Sequence, residues 1–337
     1  MARLVRRLWP ALLVLSLLLT GCAPKSTPHE QRFVAMDTYM HFTVYGDNSA
    51  AVQAQDEILQ LERLLSVTDE DSEVYAINHR ATQTCTLSPE LTALLEQALI
   101  LARQTQGAFD PTVYPVVQAW GFTADTYQVP EQETLDALLP LVDHTAPLLE
   151  GNALSLPNDV QLDFGGIAKG WAGDRVAQLL RGKGVTSAIL RLGGNVHTIG
   201  TKPDGSAWKI GIEDPDSGGT LGTVSVADLA VVTSGSYQRF FTANGQTYHH
   251  IIDPSTGRPA DSGLTSVTVV GKHGTRCDAL STALFVMGLD KGAQFWREHR
   301  DFEAVFVSED GSVSITAGLE NSFTLSPSQS RKLEVLT

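Results

Sequence analysis

The sequence has few cysteines, few basic residues and no long apolar run. Its three cysteines are Cys22, Cys85 and Cys277, and the wide spacing of the last two gives no reason to assign a disulfide or a zinc site, so we leave them unpaired. The apolar run at residues 8–19 is too short to span a bilayer. Lys and Arg number 24 against 38 Asp and Glu, and the net charge of −14 argues against nucleic acid or anionic lipid headgroups as partners.

Two familiar nucleotide-binding motifs are absent from the glycine-rich stretch DFGGIAKG at residues 163–170. No Lys-Ser or Lys-Thr pair follows Gly170, as a Walker A loop requires, and there is no GxGxxG pattern. The stretch instead offers the carboxylate of Asp163, two adjacent glycines and then apolar residues at helical spacing. Glycines allow close approach of the backbone to a ligand, and a helix N-terminus carrying Lys169 favours phosphate. An ordinary strand-to-helix turn with an exposed lysine would give the same pattern.

The N-terminus has the features of a targeting signal. Three arginines precede the apolar run, which ends in LTGC at Cys22 and resembles a bacterial lipobox. That resemblance implies cleavage before Cys22 and lipid, such as palmitate, on its thiol; an uncleaved anchor would give the same location. We therefore expect a signal peptide at 1–21, a tether at 22–31 and one domain at 32–337, outside the cytoplasm and anchored to a bacterial membrane. Cleavage removes three arginines and makes the net charge more negative.

The rest of the chain divides into a helical part and a strand-rich part. The predicted helices begin after a cap at Asn48 or Ser49, at Ser88-Pro89 and near Pro130, the last of these running to Val142. The predicted strands cover residues 40–44, 187–192, 196–200, 208–212, 223–226, 231–232, 248–252 and 266–270. Helices and strands in separate blocks favour an α+β fold over a doubly wound sheet.

A histidine pair lies at the end of one predicted strand, in the segment HHIIDPSTG at 249–257. Imidazole can act as a base near neutral pH, and Asp253, three residues after His250, could orient it. Alternate residues of a strand face opposite ways, so only one of the two histidines can face a site. The alternative is an exposed histidine pair before a turn that Asp253 stabilises.

A predicted helix capped near Thr275 carries three oxygen-bearing side chains on one face. Asp278, Ser281 and Thr282 fall at positions i, i+3 and i+4, apart from the apolar face of the helix. Hard oxygen ligands beside phosphate suit Mg²⁺. The alternative is that Asp278 only complements the helix dipole and the hydroxyls point to water.

Six motifs occur in one order along the chain and are far more specific together than singly. They are MDT (36–38), AFD (108–110), DFGGIAKG (163–170), GGN (193–195), HIIDPSTG (250–257) and DALSTAL (278–284). This set resembles the ApbE family of FAD:protein FMN transferases, which are often lipoproteins. The resemblance covers about residues 33–318. It implies a single compact ApbE-like, T-fold-like α+β domain with a mixed or antiparallel sheet and packed helices, which binds FAD and Mg²⁺.

The resemblance also implies roles for individual residues. The expected FAD-binding residues are Met36, Ala108, Phe109, Asp110, Asp163, Lys169 and Ile252. The expected metal ligands are Asp278, Thr282 and the carbonyl of Gly166, with Ser281 adjacent. The implied reaction splits the FAD pyrophosphate, transfers FMN to a threonine hydroxyl of a partner and releases AMP. The implied partner is a flavoprotein subunit of a membrane redox complex, or a secreted reductase.

The chemistry needs charge neutralisation, in-line placement and a base for the incoming hydroxyl. His250 is the predicted base. Two alternatives remain: hydrolysis of FAD to FMN and AMP at the same site, and a lipid-tethered flavin-binding protein without chemistry.

The sequence departs from the family pattern in three places. One is Cys277, which is unusual next to the expected metal ligand Asp278. Asp37 replaces the usual glycine, and residues 66–68 lack an aromatic that often stacks on flavin, which leaves Tyr75, Tyr237 or Trp120 as candidates to cover the ring.

Overall fold

A nine-stranded sheet lies at the centre of the computed structural model, which describes residues 27–124 and 126–337. The predicted signal peptide, the lipidation site Cys22 and the start of the predicted tether lie outside these residues. Within the described ranges, no helix has both the length and the apolar character needed to cross a membrane.

The α-helices of the described residues are α1 (Asn48–Leu65), α2 (Glu73–Asn78), α3 (Pro89–Gln104), α4 (Tyr114–Ala119), α5 (Gln132–Leu138), α6 (Ala168–Gly182) and α7 (Gly274–His299). Short 3₁₀ turns occupy Leu139–Leu141 and Ala317–Leu319. The strands are β1 (Pro28–Ala35), β2 (Thr38–Tyr45), β3 (Thr84–Thr86), β4 (Leu148–Glu150), β5 (Ala153–Ser155), β6 (Ser187–Leu192), β7 (Asn195–Ile199), β8 (Trp208–Glu213), β9 (Thr220–Val226), β10 (Ala230–Gly235), β11 (Phe240–Ala243), β12 (Gln246–His249), β13 (Ile252–Asp253), β14 (Arg258–Pro259), β15 (Leu264–Gly271), β16 (Glu303–Ser308), β17 (Val313–Thr316), β18 (Phe323–Leu325) and β19 (Leu333–Leu336).

The central sheet has the order β1-β2-β6-β7-β10-β15-β16-β17-β19. Its neighbours pair antiparallel except β17 and β19, which are parallel, so the sheet is mixed. Because side chains alternate across a strand, β10 sends Val232 to one face and Val231 to the other. The first face packs against α7 and the second against the small sheet β18-β9-β8. The result is an α+β domain with a mixed sheet, as predicted, and its elements form three layers.

The ends of the helices follow local sequence signals with two corrections. The cap at Ser88 before Pro89 is as predicted, and its hydroxyl accepts the N–H of Leu91 at 3.2 Å. The cap of α1 is Asp47, whose carboxylate accepts the Ser49 N–H, so the prediction of Asn48 or Ser49 is off by one or two residues. The helix predicted for 130–142 ends at Leu138 and continues as a 3₁₀ turn, because Pro140 has no N–H to donate.

Two further findings bear on the sequence predictions. Strand β1 begins at Pro28, so residues 28–31, which we assigned to the tether, pair with β2 instead. Both Cys85 and Cys277 are free thiols. Cys277 is buried against Gly271, and this burial raises the pKa of its thiol, as expected for a packing residue.

Candidate active site

The loop of residues 163–167 is fixed between the segment after α3 and the start of α6. The Asp163 N–H donates to the Pro111 carbonyl at 2.8 Å, and the Asp163 carboxylate accepts the Gly165 N–H at 2.5 Å. Burial raises the pKa of Asp163, against the lowering effects of that hydrogen bond and of the charges of Lys169 and Arg239. The loop thus brings a carboxylate and a lysine to one place.

The first turn of α6 is bonded to a side chain of another helix. Gly170 is the third residue of α6, so its N–H has no acceptor within the helix, and it donates to Oδ2 of Asp278 on α7 at 2.7 Å. Within the described residues no backbone N–H donates to the Gly166 carbonyl. Oδ1 of Asp278 likewise accepts no hydrogen bond within the described residues, so the Gly166 carbonyl and this carboxylate each keep an oxygen for a ligand.

Thr282 and Phe109 flank the same glycine. A Cβ at Gly166 would lie 3.3 Å from the Phe109 ring, which is a tight contact, and 3.6 Å from Oγ1 of Thr282, which is an ordinary one. Ser281 is fully buried, and its hydroxyl is 2.7 Å from Ser234 Oγ. Of the residues predicted on this face of α7, Asp278 and Thr282 thus lie nearest to the loop before α6. The Ser281 hydroxyl faces β10, and the Thr282 hydroxyl also lies 3.2 Å from Ser234 Oγ on that strand.

Asp110 has its partners within the protein. Its Oδ1 accepts both the N–H and the hydroxyl of Thr112, and its Oδ2 accepts the His144 N–H at 3.1 Å. The buried carboxylate therefore holds the loop at residues 143–144 against the turn after α3. Its neighbour Ala108 is partly buried against the core.

Met36 lies in a tight turn between β1 and β2. Both central residues have left-handed backbones, with φ of 50° at Met36 and 56° at Asp37, and the Met36 N–H donates to Glu62 at 2.6 Å. The next residue, Thr38, touches Gly193 so closely that a Cβ there would lie 2.5 Å from its hydroxyl. The MDT and GGN motifs are therefore in contact, although about 155 residues separate them.

His250 is oriented by a backbone carbonyl. Its Nδ1 lies 3.1 Å from the Arg239 carbonyl oxygen, which also accepts the His250 N–H at 3.0 Å. A carbonyl only accepts, so Nδ1 carries the proton and Nε2 holds the lone pair. Burial lowers the pKa of His250 to about 4, with smaller lowering by Lys169, His249 and Arg239, while the Arg239 carbonyl raises it. The ring is thus neutral, with one nitrogen able to take a proton.

His249 and Asp253 are both engaged within the fold. The ring nitrogens of His249 bond the Ala260 carbonyl at 3.1 Å and the Ile251 N–H at 3.3 Å, and the ring lies edge-on to Phe285. The Asp253 carboxylate accepts from the Ser255 N–H and hydroxyl, which is the turn-stabilising alternative. Asp253 therefore does not orient His250; the Arg239 carbonyl does.

The candidate aromatics lie in different surroundings. Trp120 is fully buried, and its indole N–H donates to the Gly257 carbonyl at 2.8 Å, so it cannot cover a ligand ring. Ile252 packs in the same apolar cluster, and its buried side chain exposes little surface to a ligand. Tyr75 stacks on His79. Tyr237 packs against Gly235, and burial raises the pKa of its hydroxyl.

Comparison with known proteins shows the family of this chain. Residues 36–306 match the ApbE family. The chain belongs to this family. An FAD:protein FMN transferase of Treponema pallidum (strain Nichols) is 37% identical over 279 residues, covering 77% of each chain. One from Klebsiella pneumoniae (strain 342) is 33% identical over 277 residues, covering 80% of this chain and 86% of the relative.

Solved ApbE structures share the fold. The crystal structure of the ApbE protein from Thermotoga maritima superposes with a TM-score of 0.82 at 33% identity, covering 87% of this chain and 98% of that one. The flavin transferase ApbE from Vibrio cholerae gives 0.80 at 26% identity, covering 88% and 99%. The predictions of an ApbE-family enzyme and of a single ApbE-like domain are confirmed.

The ApbE family implies a metal, and the residues present fit a magnesium ion. Clusters of three or more His, Cys, Asp or Glu side chains suited to a metal are absent from the described ranges. Mg²⁺, however, needs few carboxylates when phosphate oxygens complete its shell. The Gly166 carbonyl, Oδ1 of Asp278 and the Thr282 hydroxyl are hard oxygen donors on the loop before α6 and on α7.

Sequence reasoning missed two contributors. The Arg239 carbonyl was not anticipated, because a backbone atom leaves no mark in the sequence. Asp174 was also missed: it accepts hydrogen bonds from the Gly274 N–H at 2.8 Å and the Thr275 N–H at 2.9 Å. The available signal was the four-residue spacing from Gly170 to Asp174, which recurs between Gly274 and Asp278.

Proposed function

We propose that the chain transfers FMN from FAD to a threonine hydroxyl of a partner protein in a Mg²⁺-dependent reaction that releases AMP. The shared name of the relatives, FAD:protein FMN transferase, supports the transferase activity. The observation that carries the finer proposal is the bond from the Gly170 N–H to Oδ2 of Asp278, which places this carboxylate at the first turn of α6. Thr282 lies next to Gly166 there, and the Gly166 carbonyl accepts no backbone hydrogen bond within the described residues.

The reaction is a displacement at phosphorus. The threonine oxygen attacks the phosphorus of the FMN half, the bond from that phosphorus to the bridging oxygen breaks, and AMP leaves with that oxygen. The threonine proton passes to Nε2 of His250, which is neutral and has its other nitrogen fixed on the Arg239 carbonyl.

Charge must be offset at the pyrophosphate. Lys169, in the first turn of α6, supplies a mobile cation near Asp163, and the N-terminal end of α6 points partial positive charge the same way. Asp278, Thr282 and the Gly166 carbonyl would hold Mg²⁺, which supplies Lewis-acid neutralisation of the phosphate oxygens when bound.

The proposal extends to the partner and the location. The partner is FAD together with a flavoprotein subunit of a membrane redox complex, or a secreted reductase, that carries the acceptor threonine. The chain is lipidated at Cys22 and works outside the cytoplasm on a bacterial membrane; the LTGC sequence after the apolar run supports this.

The test is incubation of the purified domain with FAD and Mg²⁺, with and without a candidate acceptor protein. Mass spectrometry should find an FMN adduct on one threonine, and chromatography should find AMP in equal amount. A Thr→Ala acceptor is the matched control and should carry no adduct. Release of FMN and AMP at the same rate without acceptor would favour the hydrolase, and FAD that stays intact would favour a binding protein.

A further inference from the structure

A five-residue pattern occurs at the start of both α6 and α7. GWAGD at 170–174 and GTRCD at 274–278 each place an aspartate four residues after a glycine. The two helices cross at these glycines: a Cβ at Gly170 would lie 2.2 Å from the Gly274 carbonyl oxygen. At Gly274 it would lie 2.9 Å from the Gly170 carbonyl and closer still to the His197 ring. Only glycine permits this approach of the two backbones.

Each aspartate accepts hydrogen bonds from the first turn of the other helix. Oδ1 of Asp174 accepts the Gly274 N–H, and Oδ2 accepts the N–H and hydroxyl of Thr275 at 2.9 and 2.7 Å. In return, Oδ2 of Asp278 accepts the Gly170 N–H at 2.7 Å. No side chain of its own caps α7, since His273 at its N-cap makes no such bond. Asp174 therefore replaces the local cap.

The two halves of this exchange differ in one respect. Asp174 uses both carboxylate oxygens, with three hydrogen bonds in all. Asp278 uses Oδ2 alone, and within the described residues Oδ1 accepts no hydrogen bond. The Asp174 carboxylate thus has both oxygens bonded within the protein, and the Asp278 carboxylate keeps Oδ1 for a ligand.

We propose that Asp174 is a positioning residue that sets the place of Asp278 for metal binding, by fixing the first turn of α7 against α6. This rests on the proposed function, in which Asp278 is a ligand of Mg²⁺. The Gly274 N–H held by Asp174 lies one helical turn before Asp278, so a shift of that turn moves the carboxylate.

The test compares Asp174→Ala and Asp174→Asn with Ser88→Ala, which removes the cap of α3 at a helix with no metal ligand. Binding of Mn²⁺, as a paramagnetic stand-in for Mg²⁺, is measured by EPR with FAD absent. Asp174→Ala should weaken Mn²⁺ binding roughly tenfold or more, the usual scale for residues that orient metal ligands. Asp174→Asn keeps one acceptor oxygen, so its Mn²⁺ affinity should lie between those of Asp174→Ala and the wild type. The asparagine variant also provides the test if Asp174→Ala does not fold.

Amide hydrogen exchange at Gly170 is the second readout. In the Asp174 variants this amide should exchange faster, because its acceptor has moved, and in Ser88→Ala it should not. Unchanged Mn²⁺ binding in a folded Asp174 variant would overturn the inference, as would an equal loss in Ser88→Ala. Failure of the proposed function is distinguishable: the wild type itself would then bind no Mn²⁺, or Asp278→Ala would bind it as well as the wild type.

Discussion

The Arg239 carbonyl oxygen holds His250 twice, 3.0 Å from its backbone nitrogen and 3.1 Å from Nδ1 of its ring. These two bonds close the base of the β11–β12 hairpin and fix the ring as the tautomer protonated on Nδ1. The β11–β12 hairpin therefore orients Nε2 of His250, and substitutions that disturb the hairpin should weaken His250 as a base.

His250→Ala should bind FAD almost normally but lose transfer to threonine by roughly a hundredfold or more, because the incoming hydroxyl keeps its proton. FAD binding is followed by flavin fluorescence and transfer by mass spectrometry of the acceptor. His249→Ala is the matched control, since its ring nitrogens bond the Ala260 carbonyl and the Ile251 N–H. It should lose stability and little catalysis; the reverse pattern would contradict the assignment.

The pH dependence of transfer should reflect the lowered pKa of His250. Burial brings this pKa from 6.5 to about 4, so the base stays neutral well below pH 6.5. The transfer rate should fall only as the pH approaches 4, and the residual rate of His250→Ala should show no inflection there. The rate is measured with saturating FAD at each pH. An inflection near 6.5 would mean that the ring is solvated.

The free energy of unfolding should decrease as the pH falls from 6.5 to 4. The unfolded chain takes up the His250 proton near pH 6.5, while the folded chain resists it down to about 4. The contribution of His250 to stability is therefore complete above pH 6.5 and is lost as pH falls towards 4. Burial also lowers the pKa values of His249 and His197, which act in the same direction. The urea midpoint of His250→Gln should fall less between these pH values than that of wild type.

Asp278→Ala should abolish Mg²⁺-dependent turnover while the protein stays folded. The Gly170 N–H loses its acceptor, which costs about 1–3 kcal/mol and is less than the stability of an ordinary domain. Turnover is measured across a range of Mg²⁺ concentrations. Ser281→Ala is the control: it removes hydrogen bonds to Ser234 and to the Asp278 carbonyl, costs about 1 kcal/mol, and leaves the Mg²⁺ requirement unchanged. Normal turnover of Asp278→Ala at low Mg²⁺ would refute the metal assignment.

Asp37→Gly should be close to neutral for stability. Asp37 has a φ of 56°, which glycine adopts without strain, but glycine loses about 0.5–1 kcal/mol of backbone entropy on folding, and the two effects offset each other. Asp37→Val should destabilise by about 1–2 kcal/mol, because a β-branched residue is strained there. Urea unfolding with an unchanged m-value checks both. Equal stability of the two variants would show that the turn relaxes.

Cys22→Ala should release the protein from the membrane or leave an uncleaved precursor, because the thiol is the proposed site of lipid attachment. Fractionation and intact mass of the expressed protein measure this. A membrane-bound product of unchanged mass would argue against the lipid anchor.

The sequence predicted those elements whose signals are local. Ser88-Pro89 marked the start of α3, and alternation along the strand separated His249 from His250. The roles of His250, Asp278 and Thr282 stay predictions. The Asp174 contacts join residues 100 apart in sequence. The repeated glycine-to-aspartate spacing marks the residues involved but does not specify that they pair with each other. The same holds for Asp110, whose partner at His144 is fixed by the packed loop rather than by its neighbours in sequence.

Strand β1 begins at Pro28 and pairs with β2 over its whole length, which limits how far the enzyme can reach. Only six residue steps separate Pro28 from Cys22, a span of at most about 20 Å when fully extended. With Cys22 lipidated as proposed, the domain works within a fixed radius of the bilayer surface. A threonine held inside that radius is presented at high effective concentration, and one far above the membrane is excluded by geometry rather than by its sequence.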